Sequence, residues 1–283
     1  MYGKLYVVAT PIGNLGDFSF RAVDVLKQVD LIAAEDTRHV KMLLQHYGIN
    51  KPLQSLHQHN EDHASQGLVD KIRDGQSVAL VSDAGTPMIS DPGFPLVKLA
   101  RRQGVEVCPI PGACALIAAL SVAGLPTSRF SFEGFLPRTG SPRRRFFESK
   151  LADVSTWAFY ESSHRIQAAL EDMLTVFPAE HQIVVAREIT KLHETIVGDE
   201  LAKVLEKVQT DENMRKGEFV VLVAGREHVE QDDELTDEQR RILGILLTEC
   251  STKTAAALAA EITGQRKKTL YQAALAMQDK QGG

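Results

Sequence analysis

The fold is decided by the segment Ser77-Val78-Ala79-Leu80-Val81-Ser82-Asp83-Ala84-Gly85-Thr86-Pro87, which is followed closely by Ser90-Asp91-Pro92-Gly93. Its short apolar run predicts a buried strand that ends at a carboxylate, small residues and a proline. In open α/β sheets, ligands bind at the carboxyl ends of the strands, so the segment indicates a ligand-binding edge. The alternative is a strand followed by an ordinary tight turn, because Asp, Gly and Pro favour turns anyway.

Predicted strands and helices alternate around this segment. The pattern predicts strands at 5–9, 31–34, 78–81 and 105–110, and helices at 18–28, 40–47, 64–73 and 95–103. Such alternation is typical of a largely parallel sheet with helices on both faces. We therefore expect an N-terminal α/β domain over residues 1–122.

A second series of strands follows Gly124-Leu125-Pro126. Apolar strands are predicted at 130–135, 157–160, 183–186 and 218–225. Their higher density predicts a mixed sheet in a C-terminal α/β domain over residues 123–229. A cleft between two such domains is the natural place for an active site.

The remaining residues, 230–283, form a predicted helical tail. It begins with an acidic linker at 230–234, and Thr236 and Gln239 have the spacing of a helix capping box. Two further helices, at 254–262 and 268–277, flank Gly264 and resemble a helix-turn-helix. A small helical bundle that serves stability or dimerisation is the alternative.

Composition narrows the class of protein. The chain has 283 residues, a formal net charge of −5 and 43% hydrophobic residues, as in ordinary soluble proteins. No secretory signal is visible, and no apolar run reaches the roughly 20 residues that cross a bilayer. Three cysteines without a Cys-x-x-Cys argue against a disulfide framework or structural zinc, so we expect a cytoplasmic protein.

The sequence lacks the common nucleotide-binding motifs. The loop at 11–17 is not a G-x-G-x-x-G, and Glu35 and Asp36 only loosely resemble the ribose-binding acid of dinucleotide domains. A Walker loop is absent, which argues against nucleoside triphosphate hydrolysis.

Seven segments, taken in order, carry a family resemblance. They are Thr10-Pro11-Ile12-Gly13-Asn14-Leu15-Gly16-Asp17, Glu35-Asp36-Thr37-Arg38, Asp83-Ala84-Gly85-Thr86-Pro87, Pro111-Gly112-Ala113, Glu161-Ser162-Ser163-His164-Arg165, Arg187-Glu188-Ile189-Thr190-Lys191 and Lys216-Gly217-Glu218-Phe219. The set, over about residues 4–225, resembles the tetrapyrrole methylase superfamily. It is most similar to the bacterial branch that methylates the ribose 2′-hydroxyl of a cytidine in small-subunit ribosomal RNA. Many superfamily members have Gly-Asp-Pro in place of the third segment, and this departure argues against a corrin or sirohaem precursor as substrate.

The resemblance implies a two-domain tetrapyrrole-methylase-like fold with S-adenosylmethionine folded into the interdomain cleft. It also implies a homodimer whose partner is ribosomal RNA or the small ribosomal subunit. The implied cofactor-binding residues are Pro11, Gly13, Asp83, Gly85, Thr86, Ser90, Gly112, Ala113, Cys114, Tyr160, Gly217 and Glu218. Small residues at these strand ends let the backbone approach a ligand closely.

Methyl transfer to a ribose hydroxyl requires alignment of the nucleophile, helped by a base or by a cation that stabilises the alkoxide. The candidates all follow predicted strand ends: Glu35, Asp36, His164, Arg187, Glu188 and Lys191. Lys191 suits the cation, and His164 or Glu188 suits the base. Each of them is alternatively a member of a structural ion pair.

Candidate RNA contacts come from three polar segments. In His57-Gln58-His59-Asn60-Glu61-Asp62-His63 we expect His59, Asn60 and Glu61 to contact RNA, with metal binding by the histidines as the alternative. A predicted mobile loop offers Arg138, Arg143, Arg144 and Arg145 as phosphate clamps, and the tail offers Lys267 and Lys268. Either basic patch is alternatively a solvated surface.

Two other classes of function stay open. One is a small-molecule or protein-residue methylase of the same fold, and the other is a nucleic-acid-binding regulator built on the C-terminal helices. A small substrate needs neither the basic segment nor the tail. A regulator does not explain the ligand-type loops in both domains.

Overall fold

The structure is a computed structural model that describes residues 3–226 and 235–279, and the chain divides into two units, residues 1–225 and 226–283. Both five-stranded sheets belong to the first unit, with strands between residues 4 and 110 and between residues 130 and 223. The domain boundary at residues 122 and 123 stays a prediction. The acidic linker predicted at 230–234 lies outside the described residues.

The first sheet has the predicted parallel arrangement. Its strands are β1 (Lys4–Val8), β2 (Leu31–Ala34), β3 (Leu53–Ser55), β4 (Val78–Val81) and β5 (Glu106–Ile110), in the order β3-β2-β4-β1-β5. Strand β4 pairs in parallel with β1 and β2, and all four of its residues are buried. A central strand that is covered on both faces needs apolar residues at every position, without alternating polar residues.

Four helices accompany this sheet. They are α1 (Phe20–Gln28), α2 (Thr37–His46), α3 (Glu61–Arg73) and α4 (Phe94–Arg102). A further helix, α5 (Ala115–Val122), follows β5, and its buried face packs against strands of the second sheet, at residues 158, 184, 186, 220 and 222. One buried cluster joins Ile32 and Val81 to Leu26 and Leu44, and another joins Leu80 to helix residues on the opposite face. The prediction of helices on both faces is therefore confirmed.

The second sheet is mixed, as predicted. It contains β6 (Phe130–Phe135), β7 (Thr156–Ser162), β8 (Gln182–Arg187), β9 (Thr195–Glu200) and β10 (Glu218–Val223), in the order β6-β7-β10-β8-β9. Only the β6–β7 pair is parallel among these neighbours. Three helices, α6 (Gly140–Lys150), α7 (Ile166–Leu174) and α8 (Leu201–Thr210), accompany the sheet, and Phe147, Trp157 and Phe159 are fully buried in its core.

The prediction of a mobile loop around Arg143 was wrong, because helix α6 begins at Gly140. Pro142 lies in the first turn, where a helix needs no backbone donor and tolerates proline. Phe147 is fully buried one turn later and fixes the helix against the core. Burial of one face thus outweighs the loop-forming tendency of the glycine and the proline.

The second unit contains three helices, α9 (Asp237–Glu249), α10 (Thr252–Thr263) and α11 (Lys267–Asp279). The predicted capping box is present, with Thr236 and Gln239 bonding each other's backbone. Gly264 ends α10 in the left-handed conformation, with φ of 71°. Leu243, Ala256 and Leu270 are buried between the helices. Within the described ranges, none of the helices has both the length and the apolarity needed to span a bilayer.

Candidate functional site

A cavity of about 500 Å3 lies at the strand ends of the first unit. One side is formed by the loops that follow β1, β4 and β5, and the other by residues of β6, β7, β8 and β10 with the loops beside them. Ligand pockets in proteins have volumes of about 300–1,000 Å3, so the cavity can hold a nucleoside-sized molecule. The segment that decides the fold supplies Ala84, Gly85, Thr86, Ser90 and Asp91 to its wall.

Nine of the predicted cofactor-binding and catalytic residues line this cavity, and nine do not. Those in the wall are Gly85, Thr86, Ser90, Cys114, Tyr160, His164, Lys191, Gly217 and Glu218. Those outside the wall are Pro11, Gly13, Glu35, Asp36, Asp83, Gly112, Ala113, Arg187 and Glu188. Several members of the second group pack against the first or bond its backbone, as the following contacts show.

The floor of the cavity is fixed by bonds between three loops. Thr10 and Gly85 exchange two backbone hydrogen bonds, of 2.9 and 3.1 Å, and the Thr86 hydroxyl donates to the carbonyl of Ala113 at 3.0 Å. Gly85 has φ of 83°, and a Cβ there would lie 3.2 Å from the Ile12 side chain. Gly112 packs as closely, since its Cβ would lie 2.9 Å from that of Ala9.

Three carboxylates make one side of the site acidic. Asp91 lines the cavity, and burial, followed by the charge of Glu35, raises its pKa to about 6. Burial and then the charge of Asp83 also raise the pKa of Glu35. Asp83 itself accepts the backbone N–H of Asp36 at 2.9 Å and so shapes the turn. Anions held this closely together favour a cationic ligand.

Lys191 also lines the cavity and packs against Gly13 of the loop after β1. Its Nζ lies 2.8 Å from both Glu188 Oε1 and Glu218 Oε2. Burial lowers the pKa of Lys191, but the bonds to the two carboxylates outweigh it and the pKa lies above its ordinary value. Glu188 is also partly desolvated, yet Lys191 keeps the pKa of this carboxyl below its ordinary value. Lys191 is therefore a protonated cation at neutral pH.

The turn that carries Lys191 depends on its neighbours. Glu188 and Thr190 have φ of 50° and 68°, a region that residues other than glycine seldom adopt. A Cβ on Gly13 would lie 2.4 Å from Lys191 Cγ, and a Cβ on Gly217 would lie 2.4 Å from Glu188 Cδ. These two glycines thus leave the space that the ion-pair cluster occupies.

Two predicted catalytic residues serve the scaffold instead. Arg187 is 6% exposed and donates to the carbonyls of Lys216 at 2.6 Å and His193 at 2.9 Å. Asp36 caps helix α2 and pairs with Arg38, whose hydrogen bonds hold the Asp36 pKa well below its usual range. Neither side chain lines the cavity, and both make contacts within the scaffold, so their catalytic roles stay predictions and the contacts indicate positioning roles.

The cavity wall includes residues that were not predicted as site residues from the sequence, among them Glu161, Asp91 and Phe135. Glu161 lines the cavity, is 2% exposed, and has a pKa that burial raises. Among the described residues its Oε2 has no hydrogen-bond partner, although Arg165 Nη2 is 3.1 Å away. Tyr160 and Phe135, whose ring centroids are 5.8 Å apart, form an apolar wall. Glu161 is the first residue of one segment that carries the family resemblance, and Asp91 lies four residues after another, so their positions in the sequence could have indicated both.

The cavity suits S-adenosylmethionine by the chemistry of its lining. The acidic side formed by Asp91, with Glu35 behind it, matches a sulfonium cation and an ammonium group. The wall of Tyr160 and Phe135 matches a purine ring. Gly85 and Cys114 supply small side chains and backbone at the floor.

The predicted RNA contacts fall into two groups. Arg138, Arg145 and His59 are exposed in the first unit, and Lys267 and Lys268 are exposed at the start of α11. Asn60 is engaged by the backbone of His57 and Ser55, and Glu61 accepts the N–H of Gly93 at 2.9 Å. The polar groups of Asn60 and Glu61 organise the loop, and their RNA contacts stay predictions.

Arg143 is also corrected. It is 5% exposed, donates to Asp172 Oδ2 and to the carbonyl of Ala168, and cannot reach a nucleic acid. Arg144 binds the other oxygen of the same carboxylate at 2.6 Å and is less than half exposed. Across residues 3–226 and 235–279, no three His, Cys, Asp or Glu side chains are grouped as a metal site.

Comparisons with known proteins find matches over almost the whole chain. Residues 4–205 match the model of the Tetrapyrrole (Corrin/Porphyrin) Methylases, and residues 233–278 match that of the RsmI C-terminal HTH domain. Proteins named "Ribosomal RNA small subunit methyltransferase I" are 51% identical in Escherichia coli O157:H7, covering 98% of this chain and 96% of the relative, and 51% identical in Pseudomonas aeruginosa, covering 98% and 99%.

Solved structures of similar fold are more distant in sequence. A diphthine synthase has a TM-score of 0.60 at 18% identity, covering 78% of this chain and 90% of its own. Uroporphyrin-III C-methyl transferase from Thermus thermophilus, complexed with S-adenyl homocysteine, has a TM-score of 0.52 at 18% identity, covering 79% and 98%. These likenesses confirm the expected fold. The match over residues 4–205, together with the relatives that are 51% identical, shows that the chain belongs to the tetrapyrrole methylase family.

Proposed function

We propose that this protein transfers the methyl group of S-adenosylmethionine to the 2′-hydroxyl of a cytidine ribose in small-subunit ribosomal RNA. The observation that carries the proposal is the identity of 51% over 98% of the chain with relatives named for methylation of that RNA. The cavity between the strand ends supports it, because its acidic side, apolar wall and small-residue floor suit the cofactor. The cytidine and the ribose oxygen come from the family resemblance.

When bound, S-adenosylmethionine supplies a methyl group already activated for nucleophilic attack. A ribose oxygen would accept this methyl group as the carbon–sulfur bond breaks, and its hydroxyl proton would have to leave. Lys191, protonated and held between Glu188 and Glu218, stabilises the negative charge that develops on this oxygen. Asp91 and Tyr160 would hold S-adenosylmethionine, the methyl donor, in the cavity.

His164 is the better of the two predicted bases. It is exposed and lines the cavity, where a substrate hydroxyl can approach it. Glu188 lies outside the wall, and its pairing with Lys191 makes it a weak proton acceptor. We infer that the ribose proton passes to His164 or directly to solvent beside it.

Lys191→Met tests the proposed cation role. We expect kcat for RNA methylation to fall by about 100-fold or more, as when one charge-stabilising donor is removed. Lys203→Met is the matched control, since Lys203 pairs with Asp199 and Glu200 at 3.2 and 3.3 Å but lies outside the cavity wall. Equal activity of the two variants would remove Lys191 from the mechanism.

The substrate class is tested with labelled S-adenosylmethionine. The protein is incubated with naked ribosomal RNA, with small subunits, and with an extract of proteins and small metabolites, and the label is located. We expect label in the RNA. Label confined to a metabolite or to a protein would instead support one of the other methylases that share this fold.

Assembly and location are parts of the same proposal. We infer a cytoplasmic homodimer, and exposed apolar residues of α5, Ile117 and Val122, are consistent with a protein interface. We also keep Arg138, Arg144, Arg145, His59, Lys267 and Lys268 as proposed RNA contacts, because all are exposed. Light scattering coupled to gel filtration measures the assembly, and a monomeric mass at micromolar concentration would contradict it.

A further inference from the structure

A second cavity, of about 400 Å3, adjoins the first. The two share Ser163, His164 and Gly217, and the remaining wall of the second is formed by Glu212, Arg215 and Lys216. The last three belong to, or directly follow, the short 3-10 helix at 212–215, which leads into β10. A molecule that fills both cavities would pass beside His164.

The second cavity has an excess of positive charge. Arg215 and Lys216 face one carboxylate, Glu212, and neither forms an ion pair within the described ranges of the chain. The partner of Arg215 is the neutral amide of Gln167, with Arg215 Nη1 3.4 Å from its oxygen. Lys216 is exposed, and its backbone carbonyl is held by Arg187 at 2.6 Å, so its position is fixed while its ammonium group stays available.

Helix α7 adds to the positive potential. It begins at Ile166, two residues after His164, and its N-terminal cap, Arg165, makes no side-chain capping bond in the described part of the chain. The free amides at a helix N-terminus favour a nearby anion. Arg215 and Lys216 make the second cavity suited to an anion, and the helix begins two residues after His164 of its wall.

We propose that the second cavity binds the backbone phosphate on the 3′ side of the target nucleotide. This inference rests on the proposed function. A ribose carries its 2′-hydroxyl and its 3′-phosphate on adjacent carbons, so an enzyme acting on the first must accommodate the second close by. A cavity for an anion that shares a wall with the methyl-donor cavity meets that requirement, and a substrate without a phosphodiester would not need it.

The test compares RNA affinity, its salt dependence and cofactor affinity in three proteins. The variant Arg215→Gln/Lys216→Gln removes both charges from the cavity. The control Lys27→Gln/Lys207→Gln removes two exposed lysine charges that line neither cavity. Lys216→Gln alone is the second variant, because none of the described residues pairs with this ammonium group and the backbone acceptor is retained.

We expect the double variant to bind small-subunit RNA at least about tenfold more weakly, with an unchanged Kd for S-adenosylmethionine. The slope of log affinity against log salt should be smaller by roughly 0.7, because one phosphate is no longer neutralised by the protein. Lys216→Gln should change RNA affinity in the same direction by a smaller factor. The control should match the wild type.

Unchanged RNA affinity and salt slope in a folded double variant would overturn the inference. So would weaker cofactor binding with unchanged RNA binding, since the cavity would then hold the carboxylate of S-adenosylmethionine. Failure of the wild type to methylate any RNA would instead contradict the proposed function, and the two failures are therefore distinguishable.

Discussion

Replacing Arg143 by alanine should destabilise the protein without a direct effect on RNA binding. The Arg143 guanidinium is buried, with its Nε 2.8 Å from Asp172 Oδ2 and its Nη2 3.1 Å from the carbonyl of Ala168. The side chain of Asp172 is only 12% exposed. The substitution therefore leaves a largely buried carboxylate that still pairs with Arg144.

The expected destabilisation follows from that geometry. Removal of one partner from a buried ion pair costs about 3–5 kcal/mol, because an uncompensated charge stays behind. Arg144, 2.6 Å from Asp172 Oδ1, still compensates part of the Asp172 charge. We therefore expect Arg143→Ala to lower the free energy of unfolding by about 3 kcal/mol. Arg145 is exposed and donates to Ser141 Oγ at 3.2 Å, so Arg145→Ala should change stability by less than about 0.5 kcal/mol.

Urea unfolding measures the difference. Trp157 is the chain's one tryptophan and lies in the same core as Phe147, so its fluorescence reports on this part of the fold. RNA affinity is measured in parallel and corrected for the folded fraction. We expect it to fall in Arg145→Ala and to stay constant in Arg143→Ala. Equal stability of the two variants, or an RNA defect confined to Arg143→Ala, would refute the buried ion-pair role.

Two further substitutions test the cavity walls. The Asp91 pKa of about 6 exceeds its ordinary value near 3.8, so this residue contributes stability that is present below pH 3.8 and lost as the pH rises through 6. The full shift corresponds to about 3 kcal/mol, which partial exposure screens to the order of 1 kcal/mol. The stability of Asp91→Asn relative to the wild type should therefore increase by that amount between pH 4 and pH 7, as measured by thermal unfolding. The variant should also bind S-adenosylmethionine more weakly. A stability difference that does not change with pH would contradict the raised pKa of Asp91. Gly217→Ala should abolish turnover, because its Cβ would displace Glu188, whereas Gly104→Ala, also at positive φ but with open space around it, should cost about 1 kcal/mol and keep activity in a methylation assay.

The strand ends were the part of the site that the sequence predicted best. A short apolar run bounded by turn-forming residues, such as Val78–Val81, is typical of a buried strand, and the residues after such a strand lie at the sheet edge. That local rule placed Gly85, Thr86 and Ser90 in the cavity wall. It did not identify Asp91, whose pKa is raised by burial and then by the charge of Glu35, and both depend on the folded chain.

One error came from a contact between distant residues, and two came from segments without a periodic pattern. Arg143 belongs to a basic run in the sequence, and only Asp172 on another helix makes it a core residue. Helix α5 was missed because its side chains are apolar on all faces and give no helical period. Strand β3 was missed because three residues are too few to show alternation.

The most direct measurement is the position of the transferred methyl group in the RNA. Alkali cleaves RNA through attack of each 2′-hydroxyl on the adjacent phosphodiester, so a 2′-O-methyl group blocks cleavage at that link. After reaction with labelled S-adenosylmethionine and complete alkaline hydrolysis, we expect the label in a resistant dinucleotide that begins with cytidine. Label recovered in mononucleotides would place the methyl group on a base and contradict ribose methylation.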